Sequence, residues 1–105
     1  MSELCTVYVT TQNREEALKI AKGLISARLA ACVNIIDNAT SLYRWEGKVV
    51  EDGEAVLFIK TRAALFEKVA DAVRNMHSYS NPCIVRLNAD RATPDFESWV
   101  FGETE

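Results

Sequence analysis

The sequence predicts an α+β chain of ferredoxin-like order, βαββαβ, with a long hairpin between its second and third strands and a short helix at its end. Three observations point there. Two similar halves each run from a strand with β-type residues into an amphipathic helix. Between them lies an unbroken run from Ala30 to Lys48 with the β-branched and aromatic content of one long strand entering a tight turn. After it, Ala55 to Lys60 is an apolar strand with Val56, Leu57, Phe58 and Ile59 in succession.

The first strand is Thr6 to Thr10, where Val7 and Val9 alternate with Thr6, Tyr8 and Thr10 until the polar Thr11-Gln12-Asn13 stops it. Asn13, with Glu16 three residues on, opens a helix in the manner of a capping box, and Glu15 and Glu16 put negative charge where the helix dipole favours it. Ala17, Leu18, Ala21, Leu24, Ile25 and Leu29 recur at helical spacing, while Glu15, Lys19, Lys22 and Ser26 fall mainly on the other side. In the hairpin, Cys32-Val33, Ile35-Ile36 and Leu42-Tyr43-Arg44-Trp45 are strand-like, Asn38-Ala39-Thr40 marks a bend or bulge, and Glu46-Gly47 supplies the glycine of a tight turn. The succession of apolar residues over Ala55 to Lys60 predicts a central strand buried on both faces. A second helix is expected from near Thr61 to Met76 on the stripe Leu65, Phe66, Val69, Ala72, Val73 and Met76, ended by His77-Ser78-Tyr79-Ser80-Asn81-Pro82. Cys83 to Leu87 is the last strand, and Thr93-Pro94 opens a short helix to about Val100. Right-handed crossovers place both long helices on one face of a four-stranded antiparallel sheet. The other face and the hairpin edge are left to pack against another subunit.

Residues 1–105 make one domain, small enough that roughly a third of the unfolded surface stays wet after folding, so oligomerisation would help it. Twelve basic and 15 acidic residues give a formal charge of −3 with dispersed cations, which argues against nucleic acid as a partner. No run approaches the roughly 20 apolar residues of a membrane span, and the N-terminus has no basic segment followed by an apolar signal core. A cytoplasmic location is expected. Cys5, Cys32 and Cys83 are odd in number and lack a Cys-x-x-Cys pair, so they read as free thiols rather than as a disulfide framework or zinc ribbon.

Several motifs, in order, resemble the CutA family of divalent-cation tolerance proteins. They are Ala27-Arg28-Leu29-Ala30-Ala31-Cys32-Val33-Asn34, Ser41 to Lys48, Ile59-Lys60-Thr61, His77-x-Tyr79 with Pro82, and Ser98-Trp99. The likeness spans nearly the whole chain. It implies a homotrimer whose sheets face the threefold axis, a role in tolerance to divalent cations, and copper as the metal. In the loop after the second helix the chain departs from the family, with Ser78, Ser80 and Cys83 where Pro, Glu and Glu are usual, so two carboxylates are missing there.

The resemblance places Cys32 and His77 at a site associated with copper, and a soft thiolate with an imidazole suits Cu(I) or Cu(II) better than a hard ion. The plainer readings are a helix-terminal imidazole for His77 and small buried hydrophobes for the cysteines. The second and fourth strands are expected to form opposite sheet edges and to begin at the same end. On that layout Cys32 and Cys83 are too far apart within a subunit, and a metal would join Cys32 of one chain to His77 or Cys83 of the next. Cys5, expected at the far end, stays out. A second set implied by the resemblance, Trp45, Glu46, Lys60, Tyr79 and Trp99, surrounds an inter-subunit cleft, with packing as the plainer role of the tryptophans and a strand-end charge as that of Lys60. No catalytic residues are expected: the connection Thr11-Gln12-Asn13-Arg14 has no glycine for a phosphate loop, and one histidine gives no Ser-His-Asp set. No organic cofactor is expected either. The alternative function is a trimeric small-molecule-sensing or scaffold protein, related in fold to nitrogen-regulatory PII-like trimers and independent of metal.

Overall fold

Alternation of side chains along two adjacent strands decides which way the sheet faces. In this computed structural model, which describes residues 2–105, strand β1 is Leu4–Thr11 and strand β3 is Lys48–Arg62, paired antiparallel from Leu4↔Arg62 to Thr11↔Ala55. Cys5, Val7 and Val9 of β1 and Ala55, Leu57 and Ile59 of β3 point to one side and are almost wholly buried. Helix α1, Arg14–Ser26, lays Ala17, Ile20, Ala21 and Leu24 on that side, and helix α2, Phe66–Met76, adds Val69 and Val73. Burial of each such Leu, Ile or Val contributes about 1.5–3 kcal/mol, which makes this layer the main source of stability.

Strand β2, Cys32–Trp45, pairs with β3, and strand β4, Ile84–Asn88, pairs with β1, so the sheet order is β2-β3-β1-β4 with every neighbour antiparallel. The expected βαββαβ order is present. Ala55 to Lys60 is covered on one face only: Val56 and Phe58 lie on the open side, where Phe58 meets Tyr8 edge-on at 5.6 Å between ring centres. Ile36, Val85 and Leu87 are exposed on the edge strands.

The element ends differ from the sequence expectation for local reasons. Helix α1 stops at Ser26 because Arg28 takes φ 59°, and the Arg28 and Leu29 amides return to the Ile25 and Leu24 carbonyls in a Schellman closure. Asn13 caps the start as predicted, its side chain accepting from the Glu16 amide at 2.9 Å. Strand β3 begins at Lys48 rather than Ala55, since the return arm of the hairpin and the central strand are one 15-residue strand. The bulge falls between Ile36 and Ala39 with Asn38 at φ 60°, and the turn carries positive φ at both Glu46 (50°) and Gly47 (79°). Helix α2 starts at Phe66, behind a 3-10 turn at Ala63–Leu65, because Thr61 and Arg62 still belong to the ladder and the Thr61 hydroxyl donates to the Leu29 carbonyl at 2.7 Å. The terminal helix α3, Pro94–Glu103, is fixed at its C-terminal end by two guanidinium groups. Arg62 donates to the Phe101 and Thr104 carbonyls and Arg28 to the Gly102 carbonyl, cations placed where the dipole favours them.

Candidate functional site

The outer arm of the hairpin and the segment between α2 and β4 enclose a concavity of about 670 Å3. Its hairpin wall carries Leu42, Tyr43, Trp45 and Glu54, and its other wall carries Tyr79, Asn81 and Cys83. Strand periodicity beyond the bulge supplies the first wall, and the helix stop at His77 supplies the second.

His77 builds that second wall. Its side chain is fully buried, Nε2 lies 2.7 Å from the Thr10 carbonyl, and Nδ1 accepts the Tyr79 backbone N–H at 3.1 Å. These partners require the neutral tautomer with the proton on Nε2. Glu16, 4.0 Å from Nδ1, closes the same turn by accepting the Ser78 amide at 2.8 Å and the Gln12 amide at 3.3 Å. Burial alone would raise the Glu16 carboxyl, but the Ser78 and Gln12 hydrogen bonds outweigh it and hold the carboxyl below its usual range. The Tyr79 ring rests against His77 at 4.8 Å, and its hydroxyl donates to Glu54 at 2.9 Å. Burial and then that bond to Glu54 push the Tyr79 phenol well above the tyrosine range. The Cys83 thiol is also pushed up, by burial first and by the Glu54 carboxylate second, so it is held as the thiol. Tyr43 reaches towards Asp52 from the opposite wall, at 3.4 Å.

Cys32 lies elsewhere. It pairs with Lys60, which pairs with Thr6, whereas Cys83 precedes Ile84, the partner of Val9. Strands β2 and β4 are therefore antiparallel and begin at opposite ends of the sheet, which corrects the expectation that they begin together. Four residues of rise and three inter-strand steps put Cys32 and Cys83 roughly 20 Å apart within a subunit. Cys5 shares the end of Cys32 rather than lying at the far end, but it points into the core, where burial raises its thiol. Among the described residues no three His, Cys, Asp or Glu side chains gather to hold a metal ion. The donors Cys32, His77 and Cys83 of one subunit thus do not fit a copper site: two stand at opposite ends and the third has both nitrogens engaged.

Of the predicted cleft set, Trp45 and Tyr79 meet at the concavity. Within the subunit, Glu46 sits in the hairpin turn, Lys60 on the open sheet face beside Cys32, and Trp99 on α3 against Phe96 at 5.8 Å; none of the three lines the concavity. Sequence reasoning missed Glu54, Tyr43 and the second task of Glu16. The sequence signal for Glu16 was its capping-box position. Glu54 follows Asp52-Gly53, which resembles a break rather than strand, and nothing local ties it to Tyr79.

A family model described as CutA1 divalent ion tolerance protein matches residues 5–103. The divalent-cation tolerance protein CutA of Thermus thermophilus is 43% identical over 94 residues, covering 90% of this chain and 91% of that protein. Protein CutA of Mus musculus is 38% identical over 98 residues, 93% of this chain but 55% of its own length, so the chain spans about half of that longer relative. Among solved structures, the periplasmic divalent cation tolerance protein CutA of Archaeoglobus fulgidus superposes with a TM-score of 0.95 at 39% identity, over 97% of this chain and 99% of that one.

Proposed function

The chain belongs to the CutA1 divalent ion tolerance family, and from that premise we propose that it acts as a homotrimeric binding protein in cytoplasmic tolerance to divalent cations, with copper as its metal. The observation that carries the reading is the uncovered side of the sheet. Ile36, Val85 and Leu87 on the edges of that side, with Leu42, Trp45 and Val49 on the hairpin, are exposed large hydrophobic side chains around the half-buried Phe58, the kind of surface that a subunit contact covers. The two sheet edges differ, so contact between them is head-to-tail, and a rotation of one third of a turn at each contact would close three subunits into a ring.

Copper belongs between subunits on this reading. Each subunit offers one half-buried thiol near either end of its sheet, Cys32 and Cys83, and each needs donors from a neighbour. His77 serves instead as a wall of the loop. Its engagement at both ring nitrogens leaves it no free position for a metal ion or a substrate proton.

Native mass spectrometry during a copper titration under reducing conditions tests both parts. A trimer that takes up to three copper ions in preference to zinc, and loses them on Cys32→Ser or Cys83→Ser, is the expected result. A monomer overturns the assembly; copper uptake unchanged in both variants overturns the ligand assignment.

A further inference from the structure

We propose that His77 and Glu16 form an acid-operated latch on the segment between α2 and β4, in which a proton taken up at His77 Nδ1 expels the Tyr79 amide and joins the imidazole to the Glu16 carboxylate. The device does not rest on the metal reading, because neither residue is among the donors assigned to copper. In the closed form two consecutive amides of the segment are held by two acceptors, the Ser78 N–H by Glu16 Oε2 at 2.8 Å and the Tyr79 N–H by His77 Nδ1 at 3.1 Å. Both acceptors belong to the interior of one subunit. The His77 side chain is wholly buried and that of Glu16 is 9% exposed, so their arrangement is complete without a neighbour.

A proton and the Tyr79 N–H compete for one lone pair. Once Nδ1 carries a proton it is a donor, and two donors facing each other at 3.1 Å repel, so the Tyr79 amide must leave. Nε2 donates in both protonation states and keeps its bond to the Thr10 carbonyl at 2.7 Å, so the ring stays in place while its other side changes partner. The new partner is already at hand. Glu16 Oε1 lies 4.0 Å from Nδ1. Against the effect of burial, the Ser78 and Gln12 hydrogen bonds keep the Glu16 carboxyl below its usual range, and it is ionised where an imidazole ordinarily gains charge, between about pH 5 and 8. The remaining neighbours are neutral, engaged elsewhere or of the same sign as Glu16. From β1 comes the Thr10 carbonyl, the Arg74 guanidinium of α2 is turned to Asp71 at 2.7 Å, and the Tyr79 ring at 4.8 Å carries its hydroxyl to Glu54 of β3. Among the described residues Glu16 has no ion-pair partner other than His77. Acid therefore opens the segment and neutral pH closes it, while the core layer of Val7, Leu57 and Val73 takes no part.

The test follows amide hydrogen exchange of the assembled protein by NMR from about pH 7.5 to about pH 5.5, together with the nitrogen resonances of the His77 ring. A chelator is present, so that no metal competes for the imidazole, and rates are corrected for the intrinsic effect of pH on exchange. Protection of the Tyr79 amide should fall about tenfold over this range, in step with protonation of His77 Nδ1, while Leu57 on the central strand keeps its protection. Glu16→Gln retains an oxygen for the Ser78 amide but no charge for the imidazolium, so the same loss at Tyr79 should need about tenfold more acid. Tyr79 protection that stays constant while His77 becomes protonated overturns the latch, as does a ring that stays neutral throughout or a loss that Leu57 shares. Release at the same acidity in a folded Glu16→Gln variant removes the carboxylate from the mechanism and overturns it too. The comparison of Tyr79 with His77 and Leu57 is made on the unaltered chain, so it decides the matter even if Glu16→Gln disturbs folding.

Discussion

Glu54 sets the electrostatics of the concavity, and its reach is measurable at Cys83. The carboxylate disfavours the Cys83 thiolate, so Glu54→Gln removes one of the two causes that hold this thiol up. The sign is fixed: without the negative charge the folded-state thiol titrates lower, more thiolate is present at a given pH, and the alkylating agent finds more nucleophile. Iodoacetamide labelling followed by peptide mapping should show Cys83 reacting about threefold faster in Glu54→Gln at slightly alkaline pH. Cys32, at the other end of the sheet, serves as the internal reference and should keep its rate; equal acceleration of both would mean general loosening. The residues of this site were legible as types and not as partners. His77 and Tyr79 stand out in the sequence as a lone histidine and a nearby aromatic, but the buried imidazole spends its two nitrogens on Thr10 and on Tyr79 itself, and Thr10 lies 67 positions away in the chain. Only the β1 register next to the helix stop brings that carbonyl to it.

At the level of elements, the hairpin turn is under strain that its sequence shows. Positive φ at two consecutive positions is the geometry of a type I′ turn, which glycine and asparagine adopt readily and glutamate does not. Gly47 answers this at the second position, and a Cβ there would meet nothing within 4 Å, so the conformation alone penalises a side chain. Gly47→Ala should therefore cost about 1 kcal/mol in urea unfolding at fixed subunit concentration. Glu46→Asn should recover about 0.5 kcal/mol, since it turns the pair into Asn-Gly. A stabilising Gly47→Ala would refute the turn assignment. Here the sequence was informative, because turn chemistry and the bulge at Asn38 are local. Strand β1, the Asn13 cap and the apolar stripe of α2 were legible for the same reason. Where the expectation slipped, a distant partner decided. Thr61 and Arg62 read as the start of a helix, yet pairing with Cys5 and Leu4 keeps them in the sheet. The expected central strand began only at Ala55, yet Ala39 to Ser41 on the facing arm carry the ladder through Asp52 to Glu54. The sheet ends followed from the topology itself: β2 runs parallel to β1, and β4 runs against it, so Cys32 and Cys83 part company.

The whole molecule is longer than its chain length warrants. Its principal extents are 45 × 26 × 22 Å and its radius of gyration is 14.2 Å, against about 13 Å for a compact chain of this size. The excess is the hairpin, whose Leu42, Trp45 and Val49 are 66%, 53% and 64% exposed. Bending an arm away from its own core and leaving it apolar is costly for a solitary domain and useful for one that covers a neighbour, so its stability should belong to the assembly. Val85 and Leu87 on edge strand β4 test this, because both are exposed on the open side and neither supports the core of its own subunit. Replacing both with Glu buries two unpaired carboxylates in any contact made through that edge, at a cost of several kcal/mol per interface. Analytical ultracentrifugation should then show the mass falling from three times 11.7 kDa to 11.7 kDa, while circular dichroism keeps the sheet and helix signals. The thermal midpoint of the unaltered protein should rise with protein concentration and that of the double variant should not, because only a species whose folding is linked to association gains stability by mass action. An unchanged mass in the double variant would place the contact elsewhere. Retained trimers together with a concentration-dependent midpoint would assign it to the hairpin, whose apolar arm would then provide the cover and leave β4 as a free edge.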